Sequence, residues 1–257
     1  MKAEYPVAAE SPAIPPRSRL GVKRARTPRE VDRCLRLRYE VFATELGAAL
    51  RSAEDGMDRD RFDRHAVHLM VYDRLSGETV ATTRLLTSEG AVRAGSFYSE
   101  TEFELAPVLA RGGRFLEVGR TCIHPEYRSG MALALLWRGI AGELLRHEAD
   151  YLMGCASIPL SAGGHYVASA MSYLRARHLA PPPLRVRPRV PLACDTVPVP
   201  AQPRLPTLLR GYLRQGAMVC GEPYWDAEFG VADLFVLLDR AGLAHRYRRR
   251  FVQRRGA

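Results

Sequence analysis

Apolar residues recur at helical spacing in the stretch "TPREVDRCLRLRYEVFATELG", at Val31, Cys34, Leu35, Val41 and Phe42, and this spacing predicts an amphipathic helix. Thr27 stands at the N-cap, Pro28 takes the first helical position, Glu30 completes a capping box and Gly47 offers a stop. The period then shortens. "HLMVYDRLSGETVATTRLL" reads as two strands around a turn from Leu75 to Glu78, a β-hairpin with Ser76-Gly77 at its tip. "FLEVGRTCI" predicts a strand, "MALALLWRGIAGELLRHE" a helix, "YLMGCASI" a strand and "GHYVASAMSYLRARH" a helix. Strands alternating with helices indicate an α/β class, with a mixed central sheet, parallel in part and antiparallel at the hairpin, flanked by helices.

Punctuation divides the chain. Residues 1–26 carry several prolines and are expected to be a flexible leader, and 27–179 the core. Residues 180–206, "APPPLRVRPRVPLACDTVPVPAQPRLP", are too rich in proline for a regular helix and allow at most a short strand near "LRVRP". Residues 207–257 form a C-terminal extension expected to pack on the core, with a helix, a turn and a strand, and end in the basic tail "HRYRRRFVQRR".

Composition narrows the function classes. With 47% hydrophobic residues in 257, a sizeable core is available. Thirty-eight Lys plus Arg against 28 Asp plus Glu give a net charge of +10, which favours an acidic partner: nucleic acid, an anionic membrane surface, a phosphorylated substrate or an acidic carrier protein. A nucleic-acid module would interleave aromatic and basic residues on one surface or carry a recognition helix, and only the tail does so; nucleic acid is therefore not expected. Five cysteines without a C-x-x-C pair fit a reducing compartment and argue against a zinc site. No apolar run approaches the ~20 residues of a spanning helix, and the N-terminus lacks a secretory signal, so a cytoplasmic protein, peripheral at most on the inner membrane face, is expected.

Asp58-x-Asp60-x-x-Asp63 gathers carboxylates in a non-periodic loop, suited to a cationic substrate, to proton removal or simply to capping its neighbours. It lacks the glycine and distal glutamate of an EF-hand, so no metal is expected there. His68 and Asp73 match an acyltransferase spacing, but five residues apart on a strand they point to opposite faces. Cys122 and His124 share a face as a nucleophile and base would, although a small buried cysteine beside a surface histidine is the commoner arrangement. Glu117 and Arg120 stand out more, because charges are expensive on a strand entering a core. The turn Tyr127-Arg128-Ser129-Gly130 follows that strand and opens a helix, whose first N–H groups would face a phosphate.

The order strand, proline, "YRSG", helix resembles the pyrophosphate-binding turn of the GCN5-related N-acyltransferase superfamily. Gly130 and Ala132 match its pattern; Tyr127 departs from it, which points away from ordinary acetyl-coenzyme A. Arg38, Phe42, Asp58, Asp60, Asp63, Arg84, Glu117 and Arg120 are arranged as in acyl-homoserine-lactone synthases, the alternative reading, which take acyl chains from acyl carrier protein and use S-adenosylmethionine. Closer still is the resemblance to the ornithine N-acyltransferases of bacterial ornithine-lipid synthesis. It is carried by "FYSETEFEL", "LEVGRTCIHPEYRSG", "LLWRGIA", "YLMGCASI" and "LPTLLRGYLRQGAMVCGEPYWDAEFGVADLFVLL", and spans roughly residues 20–250.

That resemblance implies transfer of a 3-hydroxyacyl group from acyl carrier protein to the α-amine of ornithine, giving lyso-ornithine lipid. It implies Glu117 as base, with Arg120 and Arg84 binding the acceptor carboxylate or holding Glu117 ionised. Asp60 and Asp63 would take the side-chain ammonium, and Arg38 belongs to the same substrate-binding set. Gly119, Thr121, Cys122, Ile123, Arg128, Ser129 and Gly130 would accept the carrier's 4'-phosphopantetheine arm. No permanently bound cofactor is implied.

Overall fold

The capping box forms as predicted. Thr27 Oγ1 accepts from the Glu30 amide at 3.2 Å, and the Glu30 carboxylate accepts from the Thr27 amide at 3.3 Å. Those bonds belong to a computed structural model that describes residues 19–50, 54–200 and 204–240. The elements run β1 (Leu20–Arg24), α1 (Pro28–Tyr39), β2 (Val67–Asp73), β3 (Thr79–Thr87), α2 (Ser88–Ala94), β4 (Phe103–Glu104), α3 (Ala106–Leu109) and β5 (Phe115–Ile123). They continue with α4 (Met131–Arg146), β6 (Tyr151–Pro159), α5 (Gly164–Arg177), β7 (Arg187–Pro188), α6 (Thr207–Gln215), β8 (Met218–Val219), β9 (Tyr224–Asp226) and β10 (Val231–Asp239). The fold is mixed α/β, with a central, mostly antiparallel sheet and flanking helices.

Two compact units divide the chain, and β5 passes from one into the other. The first takes residues up to 96 together with 118–147. Here β1, β2 and β3 pair antiparallel in sequence order, and β5 lies next to β3. Helix α4 covers this sheet: Ala132, Leu135 and Leu136 pack with Leu20, Val71, Val80 and Ala81. The backbones approach closely at Gly139, where a Cβ would sit 2.9 Å from Leu69. Strand β1 corrects the expected leader. Residues 20–24 pair with β2 along their length, and Arg19 donates to Asp73 at 2.6 Å, because alternate residues Leu20 and Val22 have a hydrophobic face to cover. Residues 1–18 of that leader, and the basic tail from 241, lie outside the described residues.

The second unit comprises 97–117 and 148–257. Strand β10 pairs antiparallel with β6 over nine positions, from Val231 opposite Pro159 to Asp239 opposite Tyr151, and β8 and β9 line its other edge. The C-terminal extension thus supplies a buried strand of this unit's sheet. Among its described residues the proline-rich stretch forms no α-helix. A single 3-10 turn at Pro182–Leu184 and the two-residue β7, paired with β4, pin it in place. Among the described residues, no helix is long and apolar enough to cross a membrane.

Candidate active site

In the first unit the charged residues close into a network. Arg38, on α1, is fully buried; its Nε donates to Asp58 Oδ2 at 2.8 Å and its Nη1 to Asp63 Oδ1 at 2.6 Å. Arg84, on β3, donates through Nη1 to both Asp60 oxygens at 2.6 Å and to Asp63 at 3.2 Å. Arg120 brings its Nε to 3.2 Å from Asp58 and an Nη to 3.6 Å from Asp60. Turn chemistry presents the carboxylates: the Asp60 amide bonds Asp63, and the Phe62 amide bonds Asp60. Burial alone would push Asp63 and Asp60 upward, but the guanidinium groups, Arg38 first for Asp63 and Arg84 for Asp60, outweigh it and hold both below the ordinary carboxylate range. Three positive and three negative charges cancel, so Asp60 and Asp63 are already matched without an ammonium ligand. His68 lies 3.1 Å from the Asp63 carbonyl, whereas Asp73 bonds Arg19 and Tyr127, so the His68/Asp73 spacing builds no dyad.

Arg120 also marks a break in β5. Its φ of 51° lies in the left-handed region, costly for a residue with a side chain, and interrupts the extended geometry as a bulge does. Around it Thr83 donates to the Gly119 carbonyl at 3.2 Å and lies 2.7 Å from the Thr121 hydroxyl. Cys122 is buried against Leu37 and Val41, and burial raises its thiol well above the usual range, so its side chain is core and no nucleophile. Arg128 donates to the Ile123 carbonyl and forks onto Glu45 with both bonds at 2.6 Å. Ser129 is exposed, and Gly130, at φ 98°, begins α4 with no side chain capping it. The first amides of a 16-residue helix are thus left uncapped by side chains.

In the second unit Glu117 is buried on the first half of β5. Its carboxylate oxygens accept from the Tyr98 amide at 2.8 Å and the Ser99 amide at 2.7 Å, which fixes the group in one orientation. Ser99 Oγ lies 3.3 Å from Cys155 Sγ on β6. Beyond Cys155 sits a set the sequence reading missed. Glu102, Asp226 and Asp233 are all buried, and each offers an oxygen within 4.8 Å of the others. It is the one metal-capable group among the described residues. No local signal could have disclosed it, since the three positions are far apart in sequence and only the pairing of β9, β10 and the turn before β4 gathers them.

A family model described as an acetyltransferase (GNAT) domain matches residues 37–138. An L-ornithine N(alpha)-acyltransferase of Rhodobacter capsulatus is 35% identical over 249 residues, 91% of this chain and 95% of that protein. One from Agrobacterium fabrum is 35% identical over 246 residues, 89% of this chain and 83% of that protein. Among solved structures, a coenzyme A-dependent acyl-homoserine lactone synthase, BjaI, aligns with a TM-score of 0.50 at 16% identity, over 86% of this chain and 82% of that one, a likeness of fold.

Proposed function

The chain belongs to the L-ornithine N(alpha)-acyltransferase family and is an N-acyltransferase, and from that membership we propose that it moves a 3-hydroxyacyl group from the thioester of acyl carrier protein to the α-amine of ornithine, producing lyso-ornithine lipid. The observation that carries this reading is the 35% identity to enzymes named for ornithine acylation along nine-tenths of the chain. The buried, amide-anchored Glu117 supplies a base of the kind the reaction needs.

An α-ammonium must lose a proton before it can attack. Glu117, directly or through a water, takes that proton as the nitrogen bonds the thioester carbon. The carbonyl oxygen gains negative charge and then expels the phosphopantetheine sulfur, which leaves as thiolate and is reprotonated. The backbone break at Arg120 is a place where amides could be aimed at the developing oxyanion. Gly119 to Ile123 would line the arm, and the uncapped start of α4 at Gly130 suits its phosphate. Arg128 is already forked onto Glu45, so its part there is to hold the turn to the π-helical segment Glu40–Glu45 that follows α1. The Arg38, Arg84 and Arg120 network positions the strand break and its carboxylates rather than receiving the acceptor. An acidic carrier and an anionic membrane face are the partners that the charge of +10 favours, for a cytoplasmic reaction.

The test is incubation of the purified enzyme with 3-hydroxyacyl carrier protein and either ornithine or S-adenosylmethionine. Acyl-ornithine identified by mass spectrometry supports the reading. A homoserine lactone product, or transfer only from acyl-coenzyme A, overturns the acceptor or the donor respectively.

A further inference from the structure

The unit that holds Glu117 also holds a buried negative cluster that the acyl-transfer chemistry leaves unused. Glu102 is 3% exposed with neither carboxylate oxygen in hydrogen-bond geometry, and the Cys155 and Tyr98 side chains favour its charged form. Its oxygen points at those of Asp226, 7% exposed, and Asp233, 4% exposed, with all three inside 4.8 Å of one another. The two aspartates are rigidly placed. Asp226 Oδ1 accepts from the Glu228 and Phe229 amides at 2.9 and 3.0 Å, and Asp233 Oδ1 accepts from the Ser157 hydroxyl at 2.5 Å. An acid this buried, with neither oxygen in bonding geometry and aimed at two others, is an arrangement suited to a cation.

The spacing of the three oxygens selects the kind of cation. Calcium or magnesium would complete six or more oxygens with water, and here three carboxylates, each 3–7% exposed, adjoin a cysteine thiol. A primary ammonium has three donors in tetrahedral array; at ordinary charge-assisted bond lengths its acceptors stand ~4.6 Å apart, which three oxygens inside 4.8 Å can meet. The cluster is joined to the base by contact: Glu117 to Ser99, Ser99 to Cys155, and Cys155 within the field of Glu102 and Asp233.

We infer that Glu102, Asp226 and Asp233 form the pocket for the side-chain ammonium of a diamino acid acceptor, and so decide the enzyme's preference for such an acceptor over one with a neutral side chain. The inference rests on the acceptor reading above and assigns to these three residues the role that the sequence pattern had suggested for Asp60 and Asp63. Burial and then Asp233 push Glu102 well above the ordinary carboxyl range, which is the cost of gathering three acids away from water.

The experiment compares ornithine with norvaline, which has the same carbon chain and no second ammonium, on wild-type enzyme and on Glu102→Gln, Asp233→Asn and Asp226→Asn. The wild type is expected to favour ornithine in kcat/KM, and each variant to shrink that ratio at least ~tenfold, chiefly through the KM for ornithine. Thermal unfolding of Glu102→Gln should stay within a few degrees of wild type or rise, since an uncharged isostere suits the empty pocket. Equal loss on both substrates with a lowered Tm, or an ornithine preference that survives all three changes, overturns the pocket. Dependence of turnover on added magnesium or calcium that the variants abolish also overturns it, in favour of a metal. A wild-type enzyme that leaves ornithine inert instead overturns the acceptor reading on which the inference stands.

Discussion

Glu117 and Arg38 are both buried charges on regular elements, yet they answer to different demands. Two backbone amides hold Glu117, which restrains its geometry without tying it to a guanidinium in those bonds. Glu117→Gln sets its NH2 against one of those amides and should cost about 1–3 kcal/mol of stability; in the folded enzyme it should lose ~10²- to 10⁴-fold in kcat at saturating ornithine, and a variant with near-normal turnover removes Glu117 as base. Arg38 has no such freedom. Arg38→Met would leave Asp58 and Asp63 buried and short of a partner, so a loss of about 3–5 kcal/mol in urea unfolding is expected, before any effect on turnover is read. Glu117 and Arg120 drew notice in the sequence for their cost inside a core, whereas Arg38 entered only through the family resemblance. Their partners were not legible: Arg120 goes to Asp58 and Asp60, and Glu117 to the amides of Tyr98 and Ser99.

At the scale of elements, local chemistry predicted boundaries well where a cap, a proline or a glycine fixed them. Helix α1 starts at its capping box, and Thr27→Ala is expected to remove about 1 kcal/mol of stability, measurable as a lowered urea midpoint at constant m. The hairpin of β2 and β3, and the strand–turn–helix of β5 and α4, also follow their sequence signals. Strand β1 escaped notice because five residues beside a proline-rich stretch carry little periodicity; pairing with β2 decides their conformation. Gly221 shows the same dependence on tertiary context. It sits at φ 147°, and a Cβ there would lie 2.5 Å from the Val186 carbonyl, so Gly221→Ala should destabilise the second unit by about 1–3 kcal/mol, as seen by thermal unfolding.

For the whole molecule, charge sets two dependences. Asp60 and Asp63 are held below their ordinary range when folded, so they contribute stability above about pH 4 that drains away as pH falls through their folded values; an acid titration of Tm should decline there, and more shallowly in Arg84→Met. The charge of +10 predicts a KM for acyl carrier protein that rises several-fold between ~50 and ~500 mM salt, and a flat profile would remove electrostatic docking. By itself the sequence determined the elements whose ends carry their own hydrogen-bonding chemistry, the α/β class that their alternation requires, and the acyltransferase signature of the β5–α4 turn. Only the tertiary structure decided which charges meet. Asp60 and Asp63 are neutralised by arginines brought from α1, β3 and β5, while Glu102, Asp226 and Asp233 are gathered from the turn before β4, β9 and β10. The physical reason is range: a cap or a turn is satisfied within four residues of chain, whereas the balance of buried charge is set by whichever strands and helices packing brings together.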